Sequence, residues 1–317
     1  MEDVKELTTK VVQNIEKVII GKRRAVQLAV LGLICEGHVL IEDVPGVGKT
    51  MLARSLARSL DCSFSRIQCT PDMLPSDITG VEIYDQSAKE FKFVPGPIHS
   101  QIVLADEINR ATPKTQSALL EAMQERQVTI GTETHILPEP FMVLATQNPI
   151  EYEGTFPLPE AQLDRFFVKV SIGYPTTLEE MSVIENQQIV HPIDSIEPVT
   201  TAEKIKAVQQ KIRQVYIAEA VKRYIVEITQ NTRAAESVYL GASPRGSLAL
   251  ARASQAWAAM YGRNYVIPDD VKMLAEATLG HRVILSSSAR LQEIRTGDLI
   301  RDILRDVPVP GGDYKGE

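Results

Sequence analysis

Residues 39 to 50 read Val-Leu-Ile-Glu-Asp-Val-Pro-Gly-Val-Gly-Lys-Thr, an apolar run breaking into a glycine-rich loop that ends in Lys49-Thr50. Each part can do a separate job on a nucleoside triphosphate. Gly46 and Gly48 let backbone N–H groups turn toward phosphate oxygens with no Cβ in the way. Lys49 can set a positive charge on the β- and γ-phosphates, and the Thr50 hydroxyl is a natural magnesium ligand. A helix beginning here points its positive end at the same anion. One position departs from the strict phosphate-loop pattern, which asks for glycine where this chain has Asp43.

Two further clusters could complete such a site. The stretch from Gln101 to Glu107 is an apolar strand ending in adjacent carboxylates. Asp106 could hold magnesium, a hard cation that prefers oxygen ligands, and Glu107 could act as general base on an attacking water. An Asp-Glu pair closing a strand can also be no more than a turn. The third cluster is Ala145-Thr146-Gln147-Asn148-Pro149, where the Asn148 amide could hold that water, or Asn148-Pro149 could simply make a turn. Polar groups at the carboxyl ends of three buried strands follow the rule for ligand sites in open α/β sheets.

The elements that position these clusters can be read from hydrophobic patterning. Strands are predicted at Val39–Ile41, Ser63–Ile67, Gln101–Ala105, Phe141–Thr146 and Phe166–Val170, four of them nearly continuous apolar runs suited to burial on both faces. The helix after the loop places Leu52, Leu56, Ser59 and Leu60 on one face and Arg54 and Arg58 outside it. Thr112-Pro113 announces another helix, a cap followed by proline in the first turn. Between Pro71 and Pro97, the pieces Val81–Tyr84 and Glu90–Val94 flank a turn and predict a hairpin; Gln127–Ile130 and Thr134–Leu137 predict a second around Gly131. Past Tyr174-Pro175, a polar helical piece over Thr177–Val190 leads into segments that read as helical up to Pro308, with no strand-like run among them. A tail of 309–317 containing Gly311-Gly312 is expected to be flexible.

Composition narrows the class. The chain has 317 residues, 44% apolar and 24% charged, suited to two soluble domains. A net charge of −7 argues against a broadly basic nucleic-acid surface. Cys35, Cys62 and Cys69 lack metal-ligand spacing and read as buried reduced thiols. No stretch approaches the roughly 20 apolar residues of a membrane span, and the charged start has no signal region, so a cytoplasmic location is expected. The five histidines show no metal or catalytic spacing.

The chain resembles the AAA+ ATPases, and within them the MoxR group, over nearly its full length. The resemblance rests on Glu42-Asp43-Val44-Pro45-Gly46-Val47-Gly48-Lys49-Thr50, Ala105-Asp106-Glu107-Ile108-Asn109-Arg110-Ala111, the Ala145–Pro149 cluster, and Leu158-Pro159-Glu160-Ala161-Gln162-Leu163-Asp164-Arg165-Phe166. Asp43 is familiar in that group. The resemblance implies an α/β fold: a P-loop core with a parallel sheet between helices over 1–175, a linker over 176–199 and an all-helical lid over 200–308. The hairpins near 77–97 and 126–138 resemble the helix-2 insert and pre-sensor-1 hairpin of one AAA+ clade.

Site roles follow from the same resemblance. Asp43, Val44, Pro45, Gly46, Val47, Gly48, Lys49, Thr50 and Met51 match the nucleotide-binding loop, and Ile20-Gly21 the segment against the adenine. Thr50 and Asp106 match the magnesium ligands, Glu107 the base and Asn148 sensor 1. Arg165 matches an arginine finger acting on a neighbouring subunit, and Arg245 a sensor 2 arginine; a surface ion pair of Arg165 with Asp164 or Glu160 is the alternative. Implied, then, is an ATP- and Mg2+-dependent ring of six subunits that remodels or activates partner proteins together with a von Willebrand factor A domain protein. A nucleotide-gated scaffold with slow turnover is the first alternative and a DNA-dependent motor the second. Against the motor, the first hairpin sets Lys89 and Lys92 against Glu82, Asp85 and Glu90.

Overall fold

The computed structural model describes residues 1–87, 89–149, 154–188 and 191–311. Two predicted segments therefore fall partly outside the described residues: the helical piece at Val190, and the tail from 312 onward. In chain order the strands are β1 (Val39–Glu42), β2 (Phe64–Gln68), β3 (Gly80–Asp85), β4 (Glu90–Pro95), β5 (Ile102–Asp106), β6 (Gln127–Ile130), β7 (Glu133–Ile136), β8 (Met142–Gln147), β9 (Val168–Val170), β10 (Val238–Leu240) and β11 (Ile284–Leu285).

Five of these form one parallel sheet in the order β2-β5-β8-β1-β9. Alternate residues of each central strand enter opposite cores, as a period of two requires. Val39, Ile41, Ile102, Leu104, Met142 and Leu144 face the helices Glu2–Glu16, Arg23–Ile34 and Lys49–Ser59, in an apolar cluster that runs on into the C-terminal helices. Leu40, Val103, Ala105, Val143 and Ala145 face Pro113–Glu125 on the other side. That helix starts as its sequence demands, with the Thr112 hydroxyl accepting from the Thr115 N–H and Pro113 in the first turn.

The strand register brings the ends that matter together. Asp106 pairs in register with Gln68 on β2, and Glu42 with Gln147 on β8. The strand of Thr146 thus lies between the strand of Asp106 and the strand leading to the glycine-rich loop. Both predicted hairpins form, β3/β4 and β6/β7, and they touch each other where Phe93 stacks on His135 at 3.9 Å between ring centroids.

Two details differ from expectation. The last sheet strand begins at Val168 rather than Phe166, because the Phe166 carbonyl is taken by His281 and Arg282 side chains while the Phe167 N–H donates to the His38 carbonyl. The lid is helical, with helices such as Ala202–Ile212, Glu219–Ala234, Pro244–Met260, Pro268–Leu279 and Thr296–Asp306, but a short antiparallel pair of β10 and β11 interrupts them. Strands of three and two residues are too short to show a period in sequence.

Candidate active site

The loop after β1 bends as its glycines allow. Gly46 and Gly48 have φ of +84° and +92°, in the region that favours glycine. A Cβ on Gly46 would meet nothing within 4 Å, and one on Gly48 would meet only the tip of Ile19 at 3.6 Å, so the cradle is open toward an anion. Lys49 begins the helix and is buried; its Nζ donates to the Asp43 carbonyl at 2.7 Å, which folds the ammonium back over the loop.

Asp43 has a role that its sequence position alone does not reveal. Its Oδ2 accepts from the Ile172 and Gly173 N–H groups at 2.6 and 2.7 Å and from the Ser171 hydroxyl at 3.0 Å, while Oδ1 accepts from the Val44 N–H at 2.9 Å. The side chain therefore fastens the start of the loop to the segment leaving β9. Burial alone would raise its carboxyl pKa; the N–H groups of Gly173 and Ile172, the Ser171 hydroxyl and the Val44 N–H outweigh this and hold it below the ordinary carboxylate range.

Pro45, Gly46, Gly48, Lys49, Thr50 and Met51 line a cleft of about 380 Å³ together with Arg66, Asp106 and Glu107. The predicted carboxylates thus meet the predicted loop. Asp106 Oδ1 accepts the Thr146 hydroxyl at 2.6 Å, and the Glu107 N–H donates to that same hydroxyl oxygen at 2.8 Å. Glu107 sits at φ +56°, an uncommon backbone for a residue with a Cβ and one that clusters at functional sites. Its Oε2 accepts from Arg110 at 2.9 Å and from the Gln68 amide at 3.2 Å. Asn148 is buried just past the end of β8.

Sequence reasoning missed Arg66 and Gln68 and gave Thr146, within the predicted Ala145–Pro149 cluster, no role of its own. Arg66 holds Asp106 Oδ2 through Nη2 at 2.6 Å and Nε at 3.2 Å, Gln68 holds Glu107, and Thr146 joins the two carboxylate segments. The available signal was the spacing of Arg66 and Gln68, two polar residues at i and i+2 on an edge strand, which puts both on one face. Among the described residues no group of three or more His, Cys, Asp or Glu could hold a metal by itself. The Thr50 hydroxyl and Asp106 carboxylate, hard oxygen donors lining the phosphate cleft, fit a magnesium ion and would hold it there.

The other predicted residues do not line that cleft. Asp43 and Val44 border a separate cavity of about 530 Å³, Val47 packs against the core, and Ile20-Gly21 lie beside Ile19, with Gly21 close to Glu179. Arg165 and Arg245 share a cavity of about 260 Å³ with Arg126, Asp164, Arg252 and Arg282, and neither lines the phosphate cleft. Arg165 donates to the Leu120 carbonyl at 2.8 Å, and Asp164 pairs with Arg282 instead.

Comparison with known proteins matches this geometry. Residues 38–168 match the ATPase family associated with various cellular activities (AAA), and residues 230–303 match the AAA lid domain. The chain is 41% identical to Chaperone MoxR1 of Mycobacterium tuberculosis, covering 94% of this chain and 81% of that protein. This chain belongs to the MoxR family of AAA+ ATPases. A second relative of this MoxR-family ATPase, the uncharacterised protein YeaC of Bacillus subtilis, is 52% identical over 98% of this chain and 97% of its own length. A crystal structure from Cytophaga hutchinsonii superimposes with a TM-score of 0.91 at 39% identity, covering 97% of this chain and 96% of that one. No helix among the described residues is long and apolar enough to cross a membrane.

Proposed function

We propose that this MoxR-family ATPase hydrolyses ATP at the contacts of a ring, one chain supplying the phosphate cleft and its neighbour the arginines. The observation that carries this reading is the separation of Arg165 and Arg245 from Lys49, Asp106 and Glu107 within one chain. Cations that stabilise charge on a transferring phosphoryl group must reach it. A second chain is the simplest way to bring them there.

In this reading the backbone around Gly46 and Gly48 cradles the phosphates and Lys49 balances their charge. Magnesium, held by Thr50 and Asp106, would neutralise charge on the phosphate oxygens. Glu107 accepts the proton of the water whose oxygen attacks the γ-phosphorus as the bond to the β–γ bridging oxygen breaks, and Asn148 orients that water. Arg110 and Gln68 hold Glu107 through its Oε2 and so orient the carboxylate. Domain movement linked to this cycle would remodel or activate a protein client, with a von Willebrand factor A domain protein as partner and a ring of six. The name of the MoxR1 relative, a chaperone, supports the client reading.

One observation favours the slower alternative, a nucleotide-gated scaffold: both site carboxylates are already paired with arginines. Turnover measured on the assembled protein separates the two. The β3/β4 hairpin exposes Ile83, Tyr84 and Phe91, a surface suited to protein rather than to a phosphate backbone, which speaks against the DNA motor. The decisive experiment mixes two inactive variants, Lys49→Ala and Arg165→Ala. Recovery of ATP turnover in the mixture is expected, because intact clefts then meet intact arginines; no recovery would remove the shared-site reading. Glu107→Gln should bind ATP and scarcely turn over, and parental turnover in it would remove Glu107 from the base role.

A further inference from the structure

Asp164 and Arg165 are adjacent in the chain, but their side chains are held from different directions. Arg165 donates to the Leu120 carbonyl in the core. The Asp164 carboxylate, by contrast, is gripped from the lid. Its Oδ1 accepts from Arg282 Nε at 2.7 Å, and its Oδ2 accepts the Ser243 hydroxyl at 3.0 Å. Ser243 is the N-cap of the helix Pro244–Met260, and its Oγ also accepts the Arg245 N–H at 3.2 Å. A single hydroxyl therefore joins the residue before Arg165 to the backbone of Arg245.

Arg282 makes this grip stiff. Its side chain is only 4% exposed, and its remaining donors reach the carbonyls of Phe166 at 2.6 Å, Phe167 at 3.2 Å and Thr278. A guanidinium whose planar donors are divided between a carboxylate and several carbonyls cannot turn without leaving buried groups unpaired. Most exposed ion pairs are loose tethers. Here the guanidinium is buried and the Asp164 side chain is only 19% exposed. Tight packing adds to it: a Cβ on Gly246 would approach Leu279 at 3.1 Å and Arg282 Cδ at 3.5 Å.

We infer that Asp164, clamped by Arg282 and Ser243, is a rigid coupling between core and lid that makes Arg165 and Arg245 one unit, presented together to the nucleotide of a neighbouring chain. This rests on the shared-site reading above. Asp164, Ser243 and Arg282 are positioning residues; none lines the phosphate cleft. Damage to the coupling should therefore spoil a chain as donor of arginines and spare it as holder of nucleotide.

The test uses the full-length assembled protein carrying Asp164→Asn. Turnover should fall by up to roughly 100-fold, the cost of displacing a phosphate-stabilising group by about an ångström. Affinity for a fluorescent ATP analogue should stay within about twofold, since binding uses the other cleft. Mixed with Lys49→Ala chains, which carry intact arginines, Asp164→Asn should regain turnover; mixed with Arg165→Ala chains it should not. A mere packing defect would lower analogue affinity and leave no such asymmetry. Parental turnover overturns the coupling, and so does failure to recover with Lys49→Ala while an Arg165→Ala and Lys49→Ala mixture does recover. Failure of both mixtures removes the shared-site reading and the coupling with it. Should Asp164→Asn not fold, Ser243→Ala keeps the Asp164–Arg282 pair and should show the same donor-only loss at about threefold, restored by Ser243→Thr. A Ser243→Ala protein indistinguishable from the parent overturns the inference.

Discussion

Replacing Asp43 by glycine would give the loop its generic pattern, so the generic view predicts a neutral or helpful change. The structure predicts damage. The carboxylate accepts four hydrogen bonds and is 7% exposed. Hydrogen bonds to a charged group are worth about 1.5–3 kcal/mol each, but losses within one network do not add. Water can reach the partly exposed Gly173 N–H and Ser171 hydroxyl once the side chain is gone. The Ile172 N–H is buried and would be left without an acceptor, at a cost of about 1–3 kcal/mol. One charge-assisted bond and one orphaned donor give a loss of about 3 kcal/mol for Asp43→Gly. For a domain of this size that is a fall of about 6–12 °C in Tm, measured by circular dichroism at neutral pH. The sign with pH is fixed by the depressed carboxyl. The contribution of Asp43 is complete above about pH 4 and is lost as pH falls through the folded-state pKa, so the gap between parent and variant should close in acid. Asp43→Asn, with one acceptor oxygen left, should fall between the two. Equal melting of Asp43→Gly and parent would refute the fastening role.

Two further outcomes are expected. Arg66→Ala frees Asp106 from a partly exposed ion pair worth about 1 kcal/mol, so the Mg2+ concentration for half-maximal binding of an ATP analogue should fall roughly fivefold; a rise instead would mean that Arg66 serves the phosphates rather than competing for Asp106. His38 is buried, takes the Val143 N–H on Nδ1 and faces the Met123 carbonyl through Nε2, and burial pushes its pKa down to about 4. The unfolded chain then binds the proton first as pH falls, so between pH 7 and 5 the protein should lose about 2 kcal/mol that a His38→Gln variant does not, read from urea midpoints. Parallel pH profiles for the two proteins would contradict it.

What sequence could show here divides by range. Strands buried on both faces must be apolar along their length, so β1, β5 and β8 were legible within a residue or two, and the carboxylates closing β5 followed from them. The loop was legible because phosphate binding needs glycine, lysine and threonine at fixed local spacing. Partnerships were not. Asp43 looked like a defect because its partners, Ser171 to Gly173, are about 130 positions away in the chain. Arg66 and Gln68 looked like ordinary polar residues on an edge strand because only the β2–β5 register sets them beside Asp106 and Glu107. Arg282, in a segment that reads as plain helix, carried no signal of the carboxylate it holds.

The distribution of arginines gives a physical reason for the proposed division of labour between chains. Arg126, Arg165, Arg245, Arg252 and Arg282 converge on one cavity in a protein whose net charge is −7. Two of them are balanced at home, Arg126 by Glu36 and Arg282 by Asp164. Among the described residues, Arg165, Arg245 and Arg252 have no carboxylate within ion-pair distance. Like charges held together by the fold repel one another, and an anion entering from outside relieves that repulsion while gaining attraction of its own. The phosphate cleft of the same chain is the opposite case, with Asp106 and Glu107 already satisfied by Arg66 and Arg110. The carboxylates of one face are therefore already paired, which leaves Lys49 for phosphate, while three arginines of the other face are open to an anion. In the proposed ring, two such faces on adjacent copies would complement each other with a nucleotide triphosphate between them, and assembly and catalysis would then depend on the same ligand.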